Sequence, residues 1–328
     1  MINVQNLTKR YKTKLVLSNL NFDIKPGIVT GFLGPNGAGK STTMRCMVGI
    51  DKCEGITTFD GRKYTDLENP MREVGVMLDA KIFHPKRTAL SHLQMFAAAA
   101  GVGQNRVDQI VDMVGLSSVI GQKTGSFSLG MAQRLSMAVA LIGDPKYVVL
   151  DEPANGLDPD GIYWLRGVLK ELASLGKVVF LSSHLLTEVS QLADQVILLG
   201  KGRILANMPI KELIEQNSTQ HVFIKIVDPQ IHFNKFAELV GHGNFVREND
   251  GILITGVTTD AVAHFLSKNS IVPLEITNRE TSLEEVYMRL TQSQVEFTPF
   301  AQPQVQTPYP QNNQQPQPPQ DKFEGGGQ

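Results

Sequence analysis

The residues best suited to chemistry lie in one glycine-rich segment, GPNGAGKST, which fits the spacing G-x-x-x-x-G-K-[ST]. It consists of Gly34, Pro35, Asn36, Gly37, Ala38, Gly39, Lys40, Ser41 and Thr42. Gly37 and Gly39 allow backbone N–H groups to turn toward one anion, and a helix that begins at Lys40 would add its positive end. Lys40 suits the β- and γ-phosphates of a nucleotide, and Ser41 suits Mg²⁺. A chance match in a chain of this length is expected on the order of one time in a hundred, so the segment predicts nucleotide binding.

Two adjacent carboxylates, Asp151 and Glu152, follow the apolar run YVVL. Like charges at the end of a buried strand repel each other, so a cation or a reaction is needed to explain them. Mg²⁺ held jointly by Asp151 and Ser41 would be that cation. Glu152 would then orient or deprotonate water against the γ-phosphate. Taken alone, the pair is more typical of a solvated turn, and the glycine-rich segment upstream favours the catalytic interpretation.

Composition narrows the class of protein. The chain has 328 residues, 41% of them hydrophobic, and a formal net charge of −1. This length allows two domains, or one large domain with additions, and no basic excess indicates nucleic acid. The two cysteines form neither a disulfide framework nor a zinc site. No run approaches the roughly 18–20 apolar residues of a membrane span. The sequence therefore predicts a soluble, cytoplasmic protein that would reach a membrane through a partner.

The elements that must position these residues follow from hydrophobic patterning. Short alternating runs over residues 1–30 predict antiparallel strands, and GIVTGFLG predicts a buried strand ahead of the glycine-rich turn. The run GITTFDGRKY predicts a strand pair with its turn at Asp60-Gly61. Residues 88–142 have mostly helical periodicity. After residue 147, strands alternate with helices, which predicts a parallel sheet covered by helices.

The last third of the sequence has a different organisation. From about residue 219 the order β-α-β-β-α-β predicts a small ferredoxin-like α+β domain over 219–297. Residues 298–328 are rich in Gln and Pro and predict a disordered tail, because they cannot bury enough apolar surface to offset chain entropy. A proline-rich docking ligand is the alternative interpretation of this tail.

Five motifs in fixed order resemble those of the ATP-binding subunits of ABC transporters, over about residues 1–215. GPNGAGKST resembles the Walker A loop, YVVLDE the Walker B strand and FSLGMAQR the signature. NGLDP resembles the D-loop and FLSSH the strand that leads to the switch histidine. The resemblance implies an α/β P-loop NTPase cassette with a mixed sheet core, an antiparallel β subdomain and a helical subdomain at about 86–142. SLGMAQR, DEPANGLDP and SLEEVYMRL further resemble the subfamily that exports drugs, antibiotics or lipids through a separate permease.

The resemblance also implies a mechanism. Two such subunits, in a homodimer or a heterodimer with a related chain, would stack head to tail with each ATP between one Walker A loop and the other's signature. ATP and Mg²⁺ would drive closure, and hydrolysis would open the dimer and energise a permease at the inner face of the cell membrane. The residues assigned by resemblance are Tyr11 for adenine stacking, His184 as the switch, Asp158 in the D-loop, and Ser128, Leu129, Gly130 and Met131 in the signature. Tyr11 as a surface aromatic and His184 as a packed histidine are the alternatives.

The sequence departs from the family pattern at three positions. Asp79 stands where the family has a glutamine near Mg²⁺ and the attacking water, and Leu129 and Met131 replace a glycine and a glutamine of the signature. A carboxylate can ligate Mg²⁺ but adds charge beside a triphosphate. Our hypothesis is that Asp79 acts in metal binding and catalysis and couples both to permease contact. Tolerated drift is the alternative.

Two other functions fit a phosphate-binding loop. One is a soluble ABC-type ATPase that acts on nucleic acid or ribosomes, and the other is a P-loop kinase or GTPase. The chain has one cassette, no heptad run and no cysteine cluster, which argues against the first. The signature, D-loop and His184 argue against the second. The sequence therefore favours the ATPase subunit of an exporter, with no nucleic acid partner.

Overall fold

The computed structural model describes residues 1–78, 83–184, 186–217, 221–227, 233–241, 244–248, 251–279 and 281–291. Its strands are β1 (Ile2–Tyr11), β2 (Lys14–Ile24), β3 (Val29–Leu33), β4 (Glu54–Phe59), β5 (Val74–Met77), β6 (Tyr147–Leu150), β7 (Val178–Ser183), β8 (Gln195–Gly200), β9 (Arg203–Pro209), β10 (His221–Ile226), β11 (Phe245–Glu248), β12 (Gly251–Thr255) and β13 (Pro273–Arg279). Its helices are α1 (Lys40–Met47), α2 (Pro70–Glu73), α3 (Ala89–Ala100), α4 (Gln104–Met113), α5 (Leu129–Leu141), α6 (Pro159–Ser174), α7 (Leu186–Leu192), α8 (Ile210–Asn217), α9 (Phe233–Val240), α10 (Thr259–Lys268) and α11 (Leu283–Thr291).

A six-stranded sheet with the order β5-β6-β7-β3-β8-β9 forms the centre of the fold. The first five strands of that order are parallel, and β9 returns antiparallel to β8. Strands β3, β6 and β7 are buried along their whole length, which explains their continuous apolar sequences. Because neighbouring parallel strands end at the same edge, the glycine-rich segment after β3, the carboxylates after β6 and His184 after β7 lie together.

The first part of the chain forms an antiparallel sheet with the order β2-β1-β4, as the alternating runs predict. The predicted strand pair at residues 55–64 is wrong in its second half. Only β4 is a strand, and Arg62 makes an isolated bridge back to Phe59 before a single 3-10 turn at Tyr64–Asp66. The chain reverses at Asp60-Gly61, the predicted turn, where both residues have positive φ, and the Tyr64 ring packs edge-on against Phe59 at 6.2 Å between ring centres.

Helices α3, α4 and α5 pack together over residues 89–141, where helical periodicity predicts them. Each of α3 and α5 begins at a hydroxyl cap: the Thr88 side chain accepts a hydrogen bond from Ser91 N, and Ser128 accepts one from Met131 N. Gly101 ends α3 in the left-handed conformation. Among the described residues, no helix is both long and apolar enough to cross a bilayer.

Strands β10 to β13 form a four-stranded antiparallel sheet with the order β11-β12-β10-β13, and their alternation with α9 and α10 is the order β-α-β-β-α-β that the sequence predicts. Helices α9 and α10 bury Phe236, Val262 and Leu266 against one face of this sheet. The last helix, α11, departs from this unit. Its Leu283 and Val286 belong to the core of the central sheet, and α11 contacts α7 and α8. The bounds 219–297 of the predicted ferredoxin-like accessory domain stay a prediction. The predicted tail at 298–328 lies outside the described residues.

Candidate nucleotide site

The glycine-rich segment forms a loop that leads directly into α1. Gly37 has φ of 81° and Gly39 has φ of 109°, a conformation that side chains oppose. Space gives a second reason for glycine at position 39, because a Cβ there would lie 2.5 Å from Leu17 Cδ2. The first N–H groups of α1 therefore open onto the loop. A helix N-terminus of this kind binds phosphate.

Lys40 connects the loop to the end of β6. Its ammonium is buried, lies 2.8 Å from the Gly34 carbonyl oxygen, and lies 3.5 Å from Glu152 Oε1. A buried ammonium needs such partners because it has left water. No basic residue is adjacent to Glu152 along the chain, and the positive charge next to its carboxylate comes from Lys40, the first residue of α1.

The adjacent carboxylates are separated by their backbone conformation and by one hydroxyl. Asp151 is buried, and its Oδ1 accepts a hydrogen bond from Ser182 Oγ. The same Ser182 oxygen accepts one from Glu152 N at 3.0 Å. Glu152 adopts φ of 50°, in the left-handed region, and its carboxylate contacts Lys40 and His184. The two like charges therefore have different partners, and their repulsion is not left uncompensated.

His184 closes the other side of Glu152. Its Nδ1 lies 2.7 Å from Glu152 Oε2, and its backbone N donates to the same oxygen at 3.3 Å. A carboxylate only accepts hydrogen bonds, so Nδ1 carries the proton in this contact. His184 is thus hydrogen-bonded and 36% exposed, so both the switch and the alternative of a packed, hydrogen-bonded histidine stay open. Its role as a switch stays a prediction.

These groups line a cleft of about 390 Å³, a volume in the range of ligand sites. The residues around it are Val16, Asn36, Gly37, Gly39, Lys40, Ser41, Thr42, Glu152, Asn155 and His184. The cleft thus brings together the Walker A segment and two of the three predicted catalytic residues. Asp79, the third, lies outside the described residues. Pro35 is exposed in the same loop, while Gly34 and Ala38 are buried behind it.

Tyr11 stands outside the cleft lining, at the end of β1. Its hydroxyl donates to Asp51 Oδ2 at 2.7 Å, and Arg45 Nε bonds the same oxygen at 3.1 Å. The hydrogen bond to Asp51 raises the pKa of Tyr11 and lowers the pKa of the Asp51 carboxyl. Lys9 Nζ lies 4.5 Å from the ring centre and covers one ring face. The ring is 46% exposed, and its contact with adenine stays a prediction.

The signature residues and the D-loop aspartate lie at the N-terminal ends of two helices of this chain. Ser128 caps α5 with its Oγ 3.2 Å from Met131 N, and Leu129 and Gly130 form the first turn of the helix. Asp158 caps α6 by accepting from Gly161 N at 2.8 Å. The signature residues Ser128, Leu129, Gly130 and Met131, together with Asp158, do not line the cleft of their own chain.

Sequence reasoning missed four residues at the site. Val16 and Asn155 line the cleft, and Ser182 and Gln133 hold the turn at Glu152. Ser182 had a detectable signal, because a hydroxyl at the carboxyl end of a buried parallel strand beside β6 needs a polar partner. Gln133 had a weaker one, a polar residue within the buried face of an apolar helix.

A loop of this form at the end of a parallel strand, with a lysine and a paired carboxylate, defines a P-loop nucleotide-binding protein. Residues 17–155 match the family model described as ABC transporter. The chain is 34% identical over 298 residues to YhcH, an uncharacterized ABC transporter ATP-binding protein of Bacillus subtilis, covering 89% of this chain and 96% of that protein. The chain belongs to the family of ABC transporter ATP-binding proteins, whose cassettes are ATPases.

Two further comparisons bear on the subfamily and the assembly. The chain is 32% identical over 302 residues to BcrA, a bacitracin transport ATP-binding protein of Bacillus licheniformis, covering 88% of this chain and 97% of that protein. It is similar to a dimeric bacterial ABC transporter cassette, with a TM-score of 0.58 and 26% identity over 64% of this chain and 99% of that one. The predicted resemblance, the fold class and the function as an ATP-binding subunit are confirmed. The comparisons give no support to the alternative of a nucleic acid or ribosome ATPase.

Proposed function

We propose that this chain hydrolyses ATP with Mg²⁺ and thereby energises an exporter of antibiotics through a separate membrane permease. The observation that carries the catalytic part is the Glu152 carboxylate, held at the cleft between Lys40 and His184. A carboxylate fixed in this way is suited to orient or deprotonate a water molecule. The names of the bacitracin relative and of a lantibiotic transport relative from Streptococcus pyogenes, 36% identical over 206 residues, support the cargo class.

The metal part of the proposal rests on the donor set. Ser41 offers a hydroxyl at the cleft, and Asp151, which is buried at the end of β6 and does not line the cleft, offers a carboxylate. Hydroxyl and carboxylate oxygens fit Mg²⁺, which usually completes its shell with phosphate oxygens and water. The metal would neutralise charge on the phosphates. Asp79 is kept in the proposal as a third oxygen donor, with the coupling role that its sequence position suggests.

The assembly part of the proposal is a head-to-tail dimer. Exposed Ser128 and the N-terminal end of α5 offer an anion site that does not line the cleft of the same chain. A second subunit, identical or related, would bring its own ATP to them. Intact ATP would hold the dimer closed, and loss of the γ-phosphate would release it. The dimer would bind a permease at the inner face of the membrane, with 219–297 as an accessory domain.

The test uses the full chain with Glu152→Gln in a pull-down from solubilised membranes with ATP and Mg²⁺. We expect hydrolysis to slow strongly, the ATP-bound dimer to persist in size-exclusion chromatography, and a polytopic permease to be recovered. A Lys40→Ala variant, which should not hold ATP, is the matched control and should recover much less permease with ATP. Recovery of ribosomes or nucleic acid without a membrane protein would overturn the exporter proposal.

A further inference from the structure

Side chains of helix α5 contact the turn that carries Glu152. Gln133, in the second turn of α5, is 4% exposed, and its Nε2 donates to the Glu152 carbonyl oxygen at 3.1 Å and to the Asn155 carbonyl oxygen at 2.8 Å. One turn earlier on the same face of α5, Leu129 packs on Gly156, where an added Cβ would overlap its side chain. Two side chains of α5 thus contact the segment from Glu152 to Gly156.

The backbone of Glu152 needs this support. An L residue in the left-handed region is unfavourable, and its peptide groups must be held for it to persist. Ser182 Oγ accepts the Glu152 N–H, and Gln133 Nε2 donates to the Glu152 carbonyl oxygen. Both peptide groups that flank the Glu152 Cα are therefore bonded to buried side chains, one from β7 and one from α5.

Within the described part of the chain, Gln133 uses only one end of its side-chain amide. Its Oε1 is buried and has no hydrogen-bond partner among the residues that the structure describes. An unpaired buried oxygen is unfavourable, and an apolar side chain of the same length would avoid it but would leave the Glu152 and Asn155 carbonyl oxygens without this donor. The amide is useful only for its NH₂ group, which serves two carbonyl oxygens at once.

We propose that Gln133 is a positioning residue for ATP hydrolysis. It fixes the left-handed turn that directs the Glu152 carboxylate to Lys40 and His184, and it ties that turn to the N-terminal turns of α5. Because α5 begins with the signature, the same contact links the catalytic turn of one site to the helix end that would serve the other site. This inference rests on the proposed catalytic role of Glu152.

The test compares Gln133→Met with Gln133→Glu in the full chain. Met keeps the length and removes the donors, so we expect kcat for ATP hydrolysis to fall at least tenfold. The dissociation constant for ATP should change less than threefold, because the glycine-rich loop and Lys40 are untouched. The Gln133→Glu side chain keeps the shape but donates a hydrogen bond only when it is protonated. The ATPase activity of this variant relative to wild type should therefore rise as the pH is lowered, whereas that of Gln133→Met should not. Gln216→Met, at an exposed position of α8, is the control and should match wild type.

The outcomes separate this inference from the proposed function. Wild-type kcat in Gln133→Met would overturn the positioning role. So would a loss of kcat that merely follows a loss of ATP binding or of folded protein, because that is the signature of a structural role. If Glu152→Gln itself left hydrolysis unchanged, the proposed function would fail instead, whatever the Gln133 variants do.

Discussion

Ser182→Ala isolates one buried hydroxyl that serves both carboxylates of the site. The Ser182 side chain is fully buried in β7, donates to Asp151 Oδ1 and accepts from Glu152 N at 3.0 Å. Alanine removes both hydrogen bonds and leaves the partly buried Glu152 N–H and a buried Asp151 carboxylate oxygen without that partner. The change deletes one oxygen atom, so packing is otherwise retained.

The magnitude follows from the two bonds. A hydrogen bond to a charged group contributes about 1.5–3 kcal/mol and a neutral one about 0.5–1.5 kcal/mol. We therefore expect Ser182→Ala to lower the free energy of unfolding by about 2–4 kcal/mol. Hydrolysis should fall at least tenfold, because about 1.4 kcal/mol of lost transition-state stabilisation suffices for that.

The assay is denaturant unfolding followed by tryptophan fluorescence. Trp164 is the only tryptophan of the chain, its Nε1 donates to the Met113 carbonyl oxygen at 2.9 Å, and Arg134 lies 4.3 Å from the ring centre. Its emission therefore reports packing of α6 against the helical region. Thr30→Val is the matched control, since Thr30 is fully buried in neighbouring β3 and, within the described residues, its hydroxyl has no hydrogen-bond partner.

The control should be as stable as wild type or more stable, because valine removes an unpaired hydroxyl without changing shape. The reasoning would be refuted if Ser182→Ala changed the free energy of unfolding by less than about 0.5 kcal/mol, the range of neutral substitutions, and left hydrolysis at the wild-type rate. A loss of equal size in Thr30→Val would also refute it, since burial rather than bonding would then be responsible.

Three further predictions concern other parts of the molecule. Tyr11→Phe removes only the hydrogen bond from the hydroxyl to Asp51 and should weaken ATP binding less than threefold in calorimetry. Tyr11→Ala also removes the ring and should weaken ATP binding at least tenfold, because stacking on adenine contributes about 1–3 kcal/mol. Equal losses of affinity in the two variants would exclude stacking. Burial lowers the pKa of His92, so below about pH 6.5 the unfolded state binds the proton more readily than the folded state does, and the free energy of unfolding falls. His92→Gln should lose this part of the pH dependence when unfolding is measured as a function of pH. A pH profile of the variant that runs parallel to that of wild type would contradict the prediction. Val286→Ala, at a fully buried position of α11, should lower the free energy of unfolding by about 2 kcal/mol in denaturant titration, whereas Met288→Ala, at an exposed position of the same helix, should lower it by nothing measurable.

Much of the site follows from the sequence because it lies at strand ends. A buried parallel strand is an apolar run, so β3, β6 and β7 were identifiable, and the polar residues that follow them had to meet at one edge of the sheet. The glycine-rich segment and the two carboxylates were therefore predicted to meet, whereas the ion pair between Lys40 and Glu152 was not predicted.

The features that the sequence did not reveal are tertiary contacts, which depend on which helix face packs against which other element. The pattern of α11 predicts that one face is buried, but it does not say that Leu283 and Val286 pack beside α7 and α8 instead of the nearby four-stranded sheet. Gln133 is similar: its burial could be inferred from the helix period, whereas its bonds to two carbonyl oxygens depend on the left-handed turn at Glu152, which the residue type does not favour.

The leucine at position 129 shows why a departure from the signature pattern leaves the fold of this region intact. A phosphate at the start of α5 would be bound by N–H groups, and a side chain there matters only if it covers them. Leu129 packs on Gly156 in its own chain, where φ is 76° and no Cβ competes for the space. Ser128 still caps the helix through Met131 N. The side chain that replaces a glycine thus adds a contact between α5 and the D-loop segment, and the helix end keeps the groups that an anion needs.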